Sequence, residues 1–184
     1  MDFQNNSIEE EKKMPSPVKL TQITYCIVGN LAVGKTSMAK VFAGEGFSNK
    51  RMATLGVDYV TTYKKPTCLK DVEGAEESKI VVWDTAGAER HRSLAPSFYR
   101  QSHGVIICFD LTCRESFEAV TQNWINSISQ NCVENVVTVI FGCKADITAK
   151  RKVSTEEAEE VARQNNMQYF ETSAKTGQNV EEAF

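Results

Sequence analysis

The 184-residue sequence holds no run of about 18 apolar residues, and it begins with the polar stretch Met1-Asp2-Phe3-Gln4-Asn5. Neither a membrane span nor a secretory signal is therefore expected. No Cys-x-x-Cys pair occurs, and the two histidines, His91 and His103, stand far from any ligand-like cluster. That scarcity argues against a zinc site and against histidine-based catalysis. The six cysteines read instead as reduced thiols, several inside apolar strands, in a cytosolic compartment. Positive charge is not in excess either: 21 Lys and Arg against 24 Asp and Glu give a net charge of −3. A protein built to coat nucleic acid or anionic membrane by bulk charge is thereby excluded. Residues 18–184 contain no repeat and no low-complexity tract, and a chain of this length suits one domain with a sizeable core.

What is present falls into two parts. Residues 1–17 carry Glu9-Glu10-Glu11-Lys12-Lys13 and Pro15-Ser16-Pro17, which predict a flexible, solvated leader. From Val18 onward, short apolar and β-branched runs recur at Ile23–Val28, Lys79–Trp83, Gly104–Phe109 and Val136–Phe141. Runs of this kind suit strands buried on both faces of a parallel sheet. Helical stretches separate them. Phe117, Val120, Trp124, Ile125 and Ile128 mark one apolar helix face. Ser154-Thr155-Glu156-Glu157 fits a capping box, with Ala158, Val161 and Ala162 inward. The alternation implies right-handed βαβ crossovers and a three-layer α/β domain over 18–184. Val57–Lys65 reaches Lys79–Trp83 through a polar loop without a helix, so an antiparallel hairpin is expected at one sheet edge.

Gly29-Asn30-Leu31-Ala32-Val33-Gly34-Lys35-Thr36 matches G-x-x-x-x-G-K-[ST] between a strand and the helical stretch Thr36–Ala43. Glycines let main-chain N–H groups close around phosphate oxygens, and the following helix presents its positive end. Lys35 would place a charge on the outer phosphates and Thr36 a hydroxyl on Mg²⁺. A chance match is expected in about 1% of such chains at ordinary residue frequencies. Trp83-Asp84-Thr85-Ala86-Gly87 follows a buried strand, so Asp84 sits where a carboxylate can hold Mg²⁺ through water, and the Gly87 N–H can meet the last phosphate. Lys144-Ala145-Asp146 and Thr172-Ser173-Ala174-Lys175 each follow a strand as well. A carboxylate such as Asp146 can accept from guanine N1–H and its exocyclic amine, whereas adenine would leave it unpaired.

With these motifs the chain, over about residues 20–184, resembles the Ras superfamily of small GTPases and within it the Rab family, closest to endosomal Rabs. Thr54-Leu55-Gly56-Val57-Asp58-Tyr59 is similar to the first-switch signature of that family. Trp83–Gly87, Glu89–Pro96 and Phe98-Tyr99-Arg100 are similar to the second switch, and Asp110-Leu111-Thr112 with Glu115-Ser116-Phe117 continues the match. The resemblance implies a P-loop NTPase fold of the small G-domain type: six strands, mostly parallel, one antiparallel edge strand, and helices on both faces. It implies GTP or GDP with Mg²⁺ as ligands. Nucleotide contacts would come from Asn30, Leu31, Ala32, Val33, Gly34, Lys35, Thr36, Ser37, Phe47, Thr54, Gly87, Cys143, Lys144, Asp146, Ser173, Ala174 and Lys175. Thr36, Thr54 and Asp84 would hold the metal, and Lys35, Thr54 and Gly87 would serve catalysis. The Phe47 ring would lie on guanine, while Tyr59, Trp83 and Phe98 would form the aromatic triad read by effectors, with exchange factors also engaging the switches. The implied role is a switch in vesicle trafficking, cytoplasmic and, if the full-length protein carries a lipidated tail, peripherally associated with endomembranes, with no nucleic-acid partner.

Three positions depart from the family pattern. Ala88 stands where the family has the glutamine that orients the attacking water, which points to slow hydrolysis. Leu31 replaces a small residue beside the γ-phosphate and is expected to crowd the incoming water. Cys143 replaces the asparagine of the base-recognition motif; a thiol is a weak donor and acceptor, so guanine preference should persist at lower affinity. The last residues, Gly177–Phe184, begin what resembles the family's final helix and stop short of it, which predicts a partly uncovered sheet face. A second reading stays open, a binding scaffold whose nucleotide is structural or absent. An ATP-dependent kinase or ATPase is a third and is disfavoured by the lack of a second carboxylate or a lid-like Arg cluster.

Overall fold

Alternate side chains along the central strands point to opposite sides of one sheet, as the two-residue pleat requires. Cys26, Val28, Val105, Ile107, Phe109 and Ile140 enter one apolar cluster, while Ile27, Ile106, Cys108, Phe141 and Cys143 enter another. A strand buried on both faces has no polar side to turn outward, which is why these runs are apolar throughout. The computed structural model describes residues 22–49, 54, 56–65, 77–85, 97–98, 100–132 and 136–184. The expected leader, 1–17, and most of the polar loop before the third strand lie outside them.

Six strands form the sheet: β1 (Gln22–Gly29), β2 (Val57–Lys64), β3 (Ser78–Thr85), β4 (Gly104–Asp110), β5 (Val137–Cys143) and β6 (Gln168–Thr172). Their spatial order is β2-β3-β1-β4-β5-β6. Strands β3, β1, β4, β5 and β6 are mutually parallel, and β2 alone runs antiparallel, paired along its length with β3 from Val57↔Thr85 to Lys64↔Ser78. The expected edge hairpin is therefore present.

Helix α1 (Lys35–Phe42) packs Met38, Ala39 and Phe42 onto one face, joined there by Val180 and Ala183 of the short α5 (Val180–Ala183). The Phe184 ring stacks on Phe42 at 4.0 Å between centroids and meets Phe141 edge-on at 5.5 Å. The other face is covered by α2 (Arg114–Ala119), a π-helical stretch (Val120–Ile125), α3 (Asn126–Asn131) and α4 (Thr155–Gln164). Three layers result.

Sequence periodicity predicts one continuous helix face here, and Phe117, Val120, Trp124 and Ile128 are indeed buried. The π register inside that helix is a departure that periodicity does not announce. The Ser154 cap also differs in part from expectation. Its hydroxyl accepts from the Glu157 N–H at 3.2 Å, but the Glu157 carboxylate is taken by the Arg114 guanidinium in two bonds of 2.6 Å. That ion pair ties α4 to α2 across the same face of the sheet.

Candidate functional site

The carboxyl ends of β1, β3, β4, β5 and β6 all open toward one edge of the sheet, where the loops that follow them gather. The loop after β1 is shaped by close approach. At Gly29, φ is +140°, and a Cβ there would stand 2.1 Å from the Cys108 carbonyl oxygen, so only glycine fits. Ala32 (φ +62°) and Gly34 (φ +119°) continue the left-handed turns. Such alternation curls a chain into a concave nest of N–H groups. Gly34 caps α1 without a side-chain hydrogen bond, leaving the first-turn amides free for an outside acceptor.

Lys35, 5% exposed, arches back over this loop and donates from Nζ to the carbonyls of Gly29 at 2.9 Å and Asn30 at 2.8 Å. Burial lowers its proton affinity, with Asp84 and neighbouring thiols opposing. Beside it, Thr36, Thr54 and Asp84 converge. The two hydroxyl oxygens are 2.8 Å apart, and both hydroxyls bond to Asp84 Oδ2, Thr54 at 3.3 Å. Thr85 Oγ1 donates to the Ile27 carbonyl at 2.8 Å and clips the end of β3 onto β1. Ser37 is half-buried in the first turn of α1.

Asp84 is 2% exposed, and its Oδ1 is the one buried side-chain oxygen or nitrogen without a hydrogen-bond partner among the described residues. Burial pushes its carboxyl above the ordinary carboxylate range, against the Thr36 bond and the Lys35 charge. A buried carboxylate oxygen with nothing to bond costs free energy until a cation meets it. The donors gathered here are two hydroxyls and a carboxylate, all oxygen, which is the set a hard divalent cation prefers. Among the described residues no group of three His, Cys, Asp or Glu side chains forms a metal cage. Mg²⁺ does not need one, since it takes one or two protein oxygens and completes its shell with phosphate and water.

On the far side of the loop, Lys144 adopts φ +66° and its Nζ donates to the Ala32 carbonyl at 2.8 Å while pairing with the Asp110 carboxylate. This contact joins the ends of β4 and β5 to the loop after β1. Ser173 Oγ donates to Asp146 Oδ1 at 2.7 Å, and Lys175 Nζ stands 3.9 Å from Asp146 Oδ2. The Ala145 N–H donates to the Thr172 carbonyl at 3.0 Å, drawing the last two loops together, and Ala174 is half-buried. Asp146 therefore keeps accepting capacity directed by two partners. Cys143 is buried at the end of β5. Its Sγ lies 3.8 Å from the Phe141 carbonyl and 3.9 Å from Thr172 Oγ1, and its Cβ would be 3.7 Å from a Cβ built on Gly34.

The structure brings Asn30, Ala32, Val33, Gly34, Lys35, Thr36, Thr54, Asp84, Cys143, Lys144, Asp146 and Ser173 to this edge. Val33 serves as a core residue there, 2% exposed. Leu31 projects into solvent from the loop at 61% exposure, and Phe47 is 40% exposed in the segment after α1. Gly87, Ala88 and the rest of the second-switch signature through Pro96, together with Tyr99, lie outside the described residues. Tyr59, Trp83 and Phe98 do assemble, with ring centroids 5.3 Å and 5.2 Å apart in sequence order. His103 serves the fold, since its Nδ1 accepts from the Thr24 N–H at 3.0 Å. Two partners of the site were not singled out from the sequence, Asp110 as the anchor of Lys144 and Trp124 as a partner of Asn30.

An apolar parallel sheet with a nested, lysine-bridged loop after its first strand and a carboxylate at the end of a neighbouring strand defines a P-loop nucleotide-binding domain. Residues 24–184 match the sequence profile of the Ras family. Canine Ras-related protein Rab-13 is 42% identical over 158 residues, covering 86% of this chain and 74% of the relative. Human Ras-related protein Rab-30 is 40% identical over 159 residues with the same coverage, and Theileria parva Ras-related protein Rab-1 is 39% identical over 86% of this chain and 69% of its own length. The chain belongs to the Ras family of small GTPases and, within it, to the Rab type.

Proposed function

We propose that this protein is a guanine-nucleotide switch of membrane trafficking that hydrolyses GTP slowly and is governed mainly by nucleotide exchange. The observation that carries the reading is the convergence of Lys35, Thr36, Thr54 and the unpartnered Oδ1 of Asp84 beside the nested loop. Residues 18–184 are the G domain, and 1–17 are its leader.

In this reading the amides of the Asn30–Gly34 loop and the α1 N-terminus bind phosphate oxygens, and Lys35, held by the Gly29 and Asn30 carbonyls, directs its third N–H toward the outer phosphates. Thr36, Thr54 and Asp84 hold Mg²⁺, whose charge neutralises the phosphates when bound. Asp146 accepts from guanine, oriented by Ser173 and Lys175, while Lys144 fastens the base loop to the phosphate loop. The Phe47 ring covers the base and the Gly87 N–H meets the last phosphate. Ala88 can neither donate to nor accept from the attacking water, so hydrolysis runs at about 10⁻⁴ s⁻¹ or below, the unassisted range. Leu31, standing free on the loop, adds bulk on the side where that water or a trans-acting arginine must enter. Tyr59, Trp83 and Phe98 offer effectors an aromatic surface.

Denaturing the purified protein and identifying the released nucleotide by chromatography tests the binding. GTP or GDP is expected; an empty eluate would favour a nucleotide-free scaffold. Single-turnover hydrolysis by the parent and by Ala88→Gln tests the slow chemistry. The substitution is expected to raise the rate at least several-fold, and a parent already as fast as the variant would refute it.

A further inference from the structure

Trp124 is 4% exposed and sits inside the π-helical stretch, which lies against β1 and β4. Its indole Nε1–H donates to Asn30 Oδ1 at 3.0 Å, bridging 94 positions of chain. An indole has a donor and no acceptor, so this contact also decides which way the Asn30 amide faces. The main-chain oxygen of the same asparagine receives Lys35 Nζ at 2.8 Å. Trp124, Asn30 and Lys35 thus form a continuous hydrogen-bonded path from the long helix to the phosphate loop. π-helical turns are rare and are frequent at functional sites.

We infer that Trp124 is a positioning residue for the phosphate loop: it holds Asn30, and through the Asn30 carbonyl the Lys35 ammonium, in the nucleotide-retaining arrangement. The inference rests on the nucleotide reading of the site given above. It makes the helix from Arg114 to Asn131 a lever on nucleotide release. A partner or substitution that shifts the π turn withdraws the N–H, the loop loses one of its anchors, and release accelerates. A purely structural tryptophan would fill the same space with its ring and leave release unchanged.

The two roles separate in Trp124→Phe, which keeps an aromatic ring and deletes the N–H. Release of a fluorescent GDP analogue in Mg²⁺ buffer is expected to quicken about fivefold, the worth of one net hydrogen bond. Asn30→Ala should quicken release comparably, and the double variant should add little to either single one. Unchanged release in Trp124→Phe, or fully additive effects, overturns the proposal. Should Trp124→Phe fail to fold, Trp83→Phe leaves Trp124 as the sole tryptophan of the two in the chain. Its emission is expected to shift when nucleotide and Mg²⁺ are stripped, and to shift much less with Asn30→Ala; invariant emission overturns the proposal. A parent that binds no guanine nucleotide would instead sink the nucleotide reading itself.

Discussion

Cys143 ends β5 beside Gly34 of the loop after β1, with weak sulfur contacts to Phe141 and Thr172. An asparagine there could bond the loops after β1 and β5, so Cys143→Asn is expected to slow GDP release about fivefold, the worth of one added hydrogen bond. Stopped-flow displacement of a labelled nucleotide reads it; an unchanged rate would show that the thiol suffices. A different residue governs acid stability. Burial raises the proton affinity of Glu171, but Arg151 and Thr155 more than offset this, so its carboxyl stays below the usual range. A carboxylate held down in this way contributes stability above its unfolded value, near 4.3, and loses it as pH falls through the folded value. Thermal melts from pH 7 to pH 3 should therefore fall more steeply for the parent than for Glu171→Gln. Parallel curves would mean that the Arg151 pair contributes nothing to acid sensitivity.

Strand ends, rather than strand middles, set the site. β1 must stop where the chain can turn tightly against β4, and Gly29 at φ +140° with the Cys108 carbonyl beside it permits no side chain. Gly29→Ala is expected to cost about 3 kcal/mol or more, lowering Tm by roughly 6–12 °C for a domain of this size. Circular dichroism melts decide the matter, and a Tm within a degree or two of the parent would refute the close-approach argument. The helices show the same dependence on context. α1 lacks a side-chain cap because its N-terminus serves the loop, whereas α4, remote from the site, has its Ser154 cap. After the final turn of helix, Phe184 stacks on Phe42 of α1 and meets Phe141 of β5 edge-on.

At the scale of the whole molecule, the buried Lys35 and Asp84 leave unmet charge at the edge where five strands end. A ligand that meets both binds the folded state and not the unfolded one. Saturation at about 1,000 times Kd adds about 4.1 kcal/mol, or roughly 8–16 °C in Tm for a domain of this length. Differential scanning fluorimetry with GDP and Mg²⁺ should show that rise, and EDTA should remove much of it. On the proposed role of Asp146, ATP at equal concentration should leave Tm near the unliganded value, because adenine offers that carboxylate no matching donors. An equal rise with ATP would contradict the assigned base preference. Among the described residues no helix is long and apolar enough to cross a membrane.

The amino-acid sequence by itself determined the sheet, its edge hairpin, both helical layers and the phosphate loop. Each is written in local periodicity or in a short motif whose chemistry needs neighbouring residues. It also located Asp84 at the end of a strand and Asp146 just beyond one, because an apolar run followed by a polar residue marks where a buried strand emerges. Only the tertiary structure decided what meets across the chain. Glu157 leaves its cap for Arg114, Lys144 finds Asp110, and the Trp124 indole finds Asn30. Such pairings come from the register of parallel strands and a shift of helical register, and neither leaves a mark on local pattern, since a buried donor takes whichever acceptor the packing brings near.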